Sequence, residues 1–158
     1  MKNCISATCF VVDNGRVLFL KHRKLGNWMP PGGHVEENEN PLQAVHRELL
    51  EEVGYKVKVI DPYPKEHKVV VSGTSDTVEL PTPLSVLLEH VEYPTEKHDH
   101  FDIVYLAVVD GTQKQVAAES SDELRWIKED EIDGLNTYHN CKVLAHRALS
   151  IAKSLKVK

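Results

Sequence analysis

Residues 33–55, GHVEENENPLQAVHRELLEEVGY, combine a well-marked helix with a surplus of acid. Asn40 is a good N-cap, Pro41 suits the first helical position, where a missing N–H costs nothing, and Gln43 stands where a capping box expects Glu or Gln. Gly54 supplies the stop. Between them Leu42, Val45, Leu49 and Val53 recur at intervals of three or four residues, an apolar stripe that must face a core. Glu48, Glu51 and Glu52 lie off that stripe at the same intervals, so on a helix they crowd onto one face, where like charges repel unless a cation stands between them.

Carboxylate oxygens are hard ligands that suit Mg²⁺ or Mn²⁺, and Mg²⁺ takes one or two of them while keeping waters and accepting phosphate oxygens. Just upstream, Pro31, Gly32 and Gly33 form a turn with little side-chain bulk, where backbone carbonyls can approach a metal and N–H groups a phosphate. A charged helix face is most often plain solvated surface. Here the glycine entry and the Arg47–Glu48 pair argue for a site instead.

Outward from this segment, the residues before it read as a hairpin: a strand from Cys4 to Val12, the tight-turn signal Asp13-Asn14-Gly15, and a strand from Arg16 to His22. After it, Lys56 to Ile60 alternates as a strand. Asp61 to Pro83 is a long excursion with a short β-branched patch at Val69 to Val71. Leu84 to Val91 and Phe101 to Val109 read as buried strands, Glu123 to Lys128 as a shorter one. A last helix is capped by Asn136 or Thr137, with Cys141, Leu144, Ala148, Ile151 and Leu155 as its apolar stripe. This order implies a sheet covered by helices within a single domain, residues 1–158.

The segment resembles the Nudix box of the MutT-like phosphohydrolases, Gly-x5-Glu-x7-Arg-Glu-U-x-Glu-Glu-x-Gly-U, with U a bulky aliphatic residue. Gly33, Glu39, Arg47, Glu48, Glu51, Glu52 and Gly54 fill every fixed position and Leu49 the first U, while Tyr55 replaces the last aliphatic. With each fixed type at a frequency of roughly 7 %, seven matches arise by chance on the order of once in 10⁸ windows. The resemblance implies an α/β fold of the Nudix type, an α/β/α sandwich around a central mixed sheet. It also implies Mg²⁺-dependent hydrolysis of a nucleoside diphosphate linked to another moiety, with Mn²⁺ as a substitute ion. Carried over by position, Glu48, Glu51 and Glu52 are the metal ligands, with the Gly33 carbonyl an addition to them, and Arg47 orients the carboxylates together with Glu39. Family members take the general base either from the box helix or from a later glutamate. Glu119 is the leading loop candidate here and Glu123 the second, and either reads equally as a solvated loop acid.

Substrate contacts must come from elsewhere. Arg23, in the cluster Lys21-His22-Arg23-Lys24 before the glycine turn, can clamp a phosphate in bidentate fashion, or simply end a strand in solvent. His98, His100 and Asp102 share one strand face if that strand begins early, which suits a metal-ligand pattern, a substrate pocket, or ordinary strand-end polarity. Trp28, Phe101 and Tyr105 read as core aromatics or base-stacking groups. The residues that flag ADP-ribose or dinucleoside polyphosphate hydrolases beyond the box are missing, since Val70 to Gly73 stand there. By elimination the substrate is a nucleoside triphosphate, an oxidised one included, with ADP-ribose or a sugar nucleotide as the alternative; a non-hydrolytic nucleotide-binding or regulatory domain is the alternative of another class.

Composition limits the field. A chain of 158 residues, 41% hydrophobic, has material for one real core. Three cysteines, Cys4, Cys9 and Cys141, lack CxxC spacing and pack as small apolar residues rather than as a disulfide framework. No run of residues suits a signal peptide or a membrane span, so a cytoplasmic protein with no membrane partner is expected. A net charge of −5 argues for a small nucleotide over a nucleic-acid polymer as partner. A homodimer is compatible with all of this.

Overall fold

Two long strands rich in β-branched and aromatic residues form the axis of the molecule. The computed structural model describes residues 2–23, 25–63, 77–92, 97–110 and 123–157. In it β1 (Lys2–Asp13) runs parallel to β7 (Lys97–Val109), in register from Lys2 opposite His98 to Val12 opposite Val108. Among the described residues every other pairing is antiparallel, so the sheet is mixed. At the C-terminal ends of the axial pair, β2 (Arg16–Lys21) joins β1 and β5 (Val57–Ile60) joins β7. Towards the N-terminal ends, β4 (Gly32–His34) joins β1 and β6 (Ser85–Glu92) joins β7. β3 (Trp28–Met29) and β8 (Leu124–Lys128) pair with β2. Asn14 and Gly15, at φ 47° and 73°, make the tight turn between β1 and β2 that their identities predict.

Strand alternation sends consecutive residues of β1 and β7 to opposite faces. Cys9, Val11, Tyr105 and Ala107 pack with Ala44, Val45, Leu49 and Val53 of the box helix, α1 (Pro41–Glu48), and its continuation. Phe10, Val12, Val104 and Leu106 pack with Leu144, Ala145, Ala148 and Leu149 of the closing helix, α2 (His139–Ser154). Helices therefore cover both faces, giving the expected α/β/α sandwich. Cys9 and Cys141 are buried, and Cys4 is half-buried.

Most boundaries fall within two residues of expectation, and two of the differences have a clear physical reason. The strand expected from Phe101 begins at Lys97, because parallel pairing with β1 continues down to Lys2. The last helix is capped at Tyr138, without a side-chain cap bond, rather than at Asn136 or Thr137. Asn136 is engaged elsewhere: its carbonyl accepts from Trp28 N–H at 2.9 Å and its amide donates to Asn27 Oδ1 at 3.2 Å. The patch at Val69 to Val71, Lys24 and Glu119 lie outside the described residues.

Candidate active site

The box helix begins as its sequence dictates. Asn40 Oδ1 accepts from Gln43 N–H at 3.0 Å, Gln43 Oε1 accepts from Asn40 N–H at 2.9 Å, and Pro41 takes the first turn. After Glu48 the helix widens into a π turn over Leu49–Val53, which Gly54 ends in the left-handed conformation at φ 70°. A π turn inserts a residue, so Glu51 and Glu52 are rotated from where an α-helix would carry them. Tyr55, at the position of the missing aliphatic, packs edge-on against Trp126, ring centroids 5.8 Å apart.

Arg47 is the hub of the acidic cluster. Its guanidinium grips Glu39 through two bonds, Nε to Oε1 at 2.9 Å and Nη2 to Oε2 at 3.0 Å, the fork geometry that lysine lacks. Nη1 donates to Glu48 Oε1 at 2.7 Å and stands 3.5 Å from Glu51 Oε2, while Nη2 also donates to the His34 carbonyl at 3.0 Å. The hydrogen bond from Arg47, with one from Glu36 N–H, holds the Glu39 carboxyl below the usual carboxylate range; the Glu39 bond, and after it Glu48, keeps Arg47 firmly charged.

The glutamates are fastened onto the glycine turn. Glu52 Oε2 accepts from Gly32 N–H at 2.9 Å. The Glu48 carboxylate lies where a Cβ on Gly33 would have to go, 2.3 Å from its Oε1. Glu39, Glu48 and Glu51 thus surround a single guanidinium, and Glu52 is held beside them on the bare backbone turn, a hard-oxygen donor set with negative charge in excess. Those residues fit Mg²⁺.

A cleft opens beside this turn, on the sheet face that carries α2. Its outer part, ≈ 530 Å³, is lined by Gly32, Gly33, His34, His100, Tyr138 and Asn140 among others, and its inner part, ≈ 140 Å³, reaches Glu52, Leu87 and Val104. Thr8, Glu89 and Asp102 border both. The buried Asp102 accepts from Ser6 Oγ at 3.0 Å and Thr8 Oγ1 at 2.9 Å. Burial pushes its carboxyl above the usual range, against the pull of the Thr8 and Ser6 hydroxyls. Burial and then the charge of Asp102 push Glu89 up as well, opposed by the Asn140 amide, whose Nδ2 donates to Glu89 Oε1 at 3.4 Å.

The structure brings Glu52, Gly33, His100 and Asp102 to this cleft; Glu48 and Glu51 do not line it but share Arg47 with the box. Arg23 is exposed in the turn after β2, where His22 and Leu25 are the lining residues. Glu123 is exposed and paired with Lys21 at 3.4 Å, away from the cleft. Of the aromatics, Tyr105 is core, Trp28 packs against the α2-side core, and Phe101 is exposed. The sequence reading missed Ser6, Thr8, Glu89 and Asn140. A signal existed for Glu89, a charged residue inside an apolar strand run.

Comparison with known proteins agrees with this geometry. The NUDIX domain profile matches residues 2–146. A NUDIX-family hydrolase from Clostridium perfringens superposes with a TM-score of 0.76 at 27% identity, over 96% of this chain and 99% of that one. A MutT NUDIX hydrolase from Burkholderia pseudomallei shares the fold at a TM-score of 0.63 and 21% identity, over 93% and 98% of the two chains. An RNA pyrophosphohydrolase from Halorhodospira halophila is 52% identical over 42 residues, 27% of this chain and 23% of that protein. The match spans about a quarter of the length of such curated relatives. With the profile over most of its length, the full box and the matching sandwich, the chain belongs to the NUDIX hydrolase family.

Proposed function

We propose that this protein is a Mg²⁺-dependent pyrophosphohydrolase of nucleotides, acting on nucleoside triphosphates, oxidised ones included, to give the monophosphate and pyrophosphate. One observation carries the reading: Glu52, anchored on the glycine turn, stands in the same cleft as Asp102 and Glu89. Carboxylates suited to a metal thus meet buried polar groups suited to a base edge. A carboxylate serves that second purpose because it accepts hydrogen bonds from the N–H groups of a base edge.

Glu48, Glu51, Glu52 and the Gly33 carbonyl would hold Mg²⁺, with Mn²⁺ as a substitute. When bound, the ion supplies neutralisation of phosphate charge and acidification of water. Arg47 keeps Glu48 and Glu51 in place and is itself fixed by Glu39. We assign Arg23 and His100 to substrate contact and Glu119 to the general base, on sequence grounds. The protein is expected in the cytoplasm, as a monomer or homodimer; among the described residues no helix is long and apolar enough to cross a membrane.

The Halorhodospira relative's name favours a second reading, removal of pyrophosphate from a 5′-triphosphorylated RNA end, which breaks the same kind of bond. The net charge of −5 favours the mononucleotide. A panel of nucleoside triphosphates, ADP-ribose, sugar nucleotides, dinucleoside polyphosphates and 5′-triphosphorylated RNA, assayed with and without Mg²⁺, separates these. Metal-dependent release of pyrophosphate from triphosphates, reduced at least about 100-fold in Glu52→Gln, is expected. Nucleotide binding without turnover would make the protein a binding domain, and turnover that survives Glu52→Gln would remove the metal assignment.

A further inference from the structure

The sheet face that lines the cleft ends, near the N-terminus of β1, in a cluster of different chemistry. β1 sets Ser6 opposite His34 of β4, and Cys4 opposite His100 of β7. Alternation places Cys4 on the same face as Ser6. A thiol and two imidazoles therefore converge from three adjacent strands, and their ligating atoms all lie within 4.8 Å of one another. The Nε2 atoms of His34 and His100 are 3.3 Å apart, with the rings edge-on at 82°.

That spacing suits a tetrahedral ion. Two imidazole nitrogens, each about 2.0–2.1 Å from Zn²⁺, stand about 3.3 Å apart at the tetrahedral angle. A thiolate at about 2.3 Å stands about 3.6 Å from each nitrogen, so the Cys4 sulfur needs to shift by about 1.4 Å at most. The donors also differ in kind from those of the box. Thiolate and imidazole select Zn²⁺ and similar borderline ions, whereas the carboxylates of Glu48, Glu51 and Glu52 select hard ones.

We infer that Cys4, His34 and His100 form a second metal site, for Zn²⁺ or a chemically similar transition ion, at the mouth of the cleft. His34 and His100 line the outer cleft, so three protein ligands leave a fourth position facing the space where a substrate would lie. The His34 backbone carbonyl also holds Arg47, which ties the site to the box through one residue. A hydrogen bond between the two rings is the metal-free account of their approach to each other. The inference does not depend on the nucleotide reading.

Cobalt tests it on the whole protein, reduced and in excess Mg²⁺, with Co²⁺ as the probe. A cobalt–thiolate pair absorbs in the near ultraviolet by charge transfer, and oxygen ligation at the box does not. The expected result is a saturating band at one Co²⁺ per chain, displaced by Zn²⁺, lost in Cys4→Ser and retained in Glu52→Gln. His34→Ala and His100→Ala should each weaken Co²⁺ binding by about tenfold or more. No band in the unaltered protein, or a band that survives Cys4→Ser and so comes from Cys9 or Cys141, overturns the site. Should circular dichroism show that Cys4→Ser disturbs the fold, His100→Ala decides in its place: unweakened binding there overturns it equally.

Discussion

Gly32 and Gly33 are neighbours, yet an added methyl group meets a different obstacle at each. At Gly32, with φ +150°, a Cβ would lie 2.4 Å from the Ala7 carbonyl oxygen and 2.7 Å from Thr8 Cα, which are fixed backbone of β1. At Gly33 it would lie 2.3 Å from Glu48 Oε1, the far end of a flexible side chain. Gly32→Ala should therefore cost about 2–4 kcal/mol of folding stability, read as a lowered urea midpoint. Gly33→Ala should keep stability within about 1 kcal/mol and lose Mg²⁺-dependent turnover, because Glu48 must leave its place. Equal destabilisation in the two variants, or full activity in Gly33→Ala, would contradict this account of the turn. At this scale the sequence was informative where the candidate groups sit in one contiguous stretch: Glu39, Arg47, Glu48, Glu51 and Glu52 were all legible, and Glu39, Glu48 and Glu51 do share the Arg47 guanidinium. The pairing of Glu89 with Asn140 was not, because only the packing of α2 against the sheet brings them together across 51 residues.

Helix α1 shows how far local chemistry specifies an element. Its start depends on reciprocal bonds between Asn40 and Gln43, residues three apart, so no tertiary partner is needed to foresee it. Asn40→Ala removes the acceptor for Gln43 N–H and should cost about 1 kcal/mol. Thermal unfolding measures it, and Asn40→Ser should recover most of the loss; an unchanged melting temperature in Asn40→Ala would mean that docking, not capping, holds this end. The other end was only half legible. Gly54 marks the stop, but the π turn over Leu49–Val53 has no signature in apolar spacing, since Leu49 and Val53 are buried in it as they would be in an α-helix. What coincides with the turn is tertiary: the docking of Glu52 on Gly32 N–H. The cap of α2 went astray for a related reason, as Asn136 is drawn off to Trp28 and Asn27.

For the molecule as a whole, the position of the cleft follows from one change along two strands. On the α2 face, β1 passes from Val12 and Phe10 to Thr8, Ser6 and Cys4, and β7 passes from Leu106 and Val104 to Asp102 and His100. The apolar halves pack under α2, and Thr8, Ser6, Asp102 and His100 of the polar halves border the cleft, which the N-terminal end of α2 reaches through Asn140, Cys141 and Leu144. Each strand was legible alone, but their parallel partnership joins residues 96 apart and has no local signal. This division predicts unequal responses on β7. Leu106 is fully buried in the α2-side core, whereas Phe101, on the same strand, is 42% exposed. Leu106→Ala should cost about 2–5 kcal/mol through lost burial and a residual cavity. At about 2–4 °C per kcal/mol for a chain of this size, the melting temperature should fall by at least about 4 °C. Phe101→Ala removes the larger side chain yet should cost clearly less, about 1 kcal/mol or roughly 2–4 °C, because 42% of its surface stays in water and no closed cavity is left behind. Similar losses in both variants would mean that Phe101 is covered in solution, as it would be if that outer face met a second copy of the chain, and gel filtration of the unaltered protein would then show a dimer.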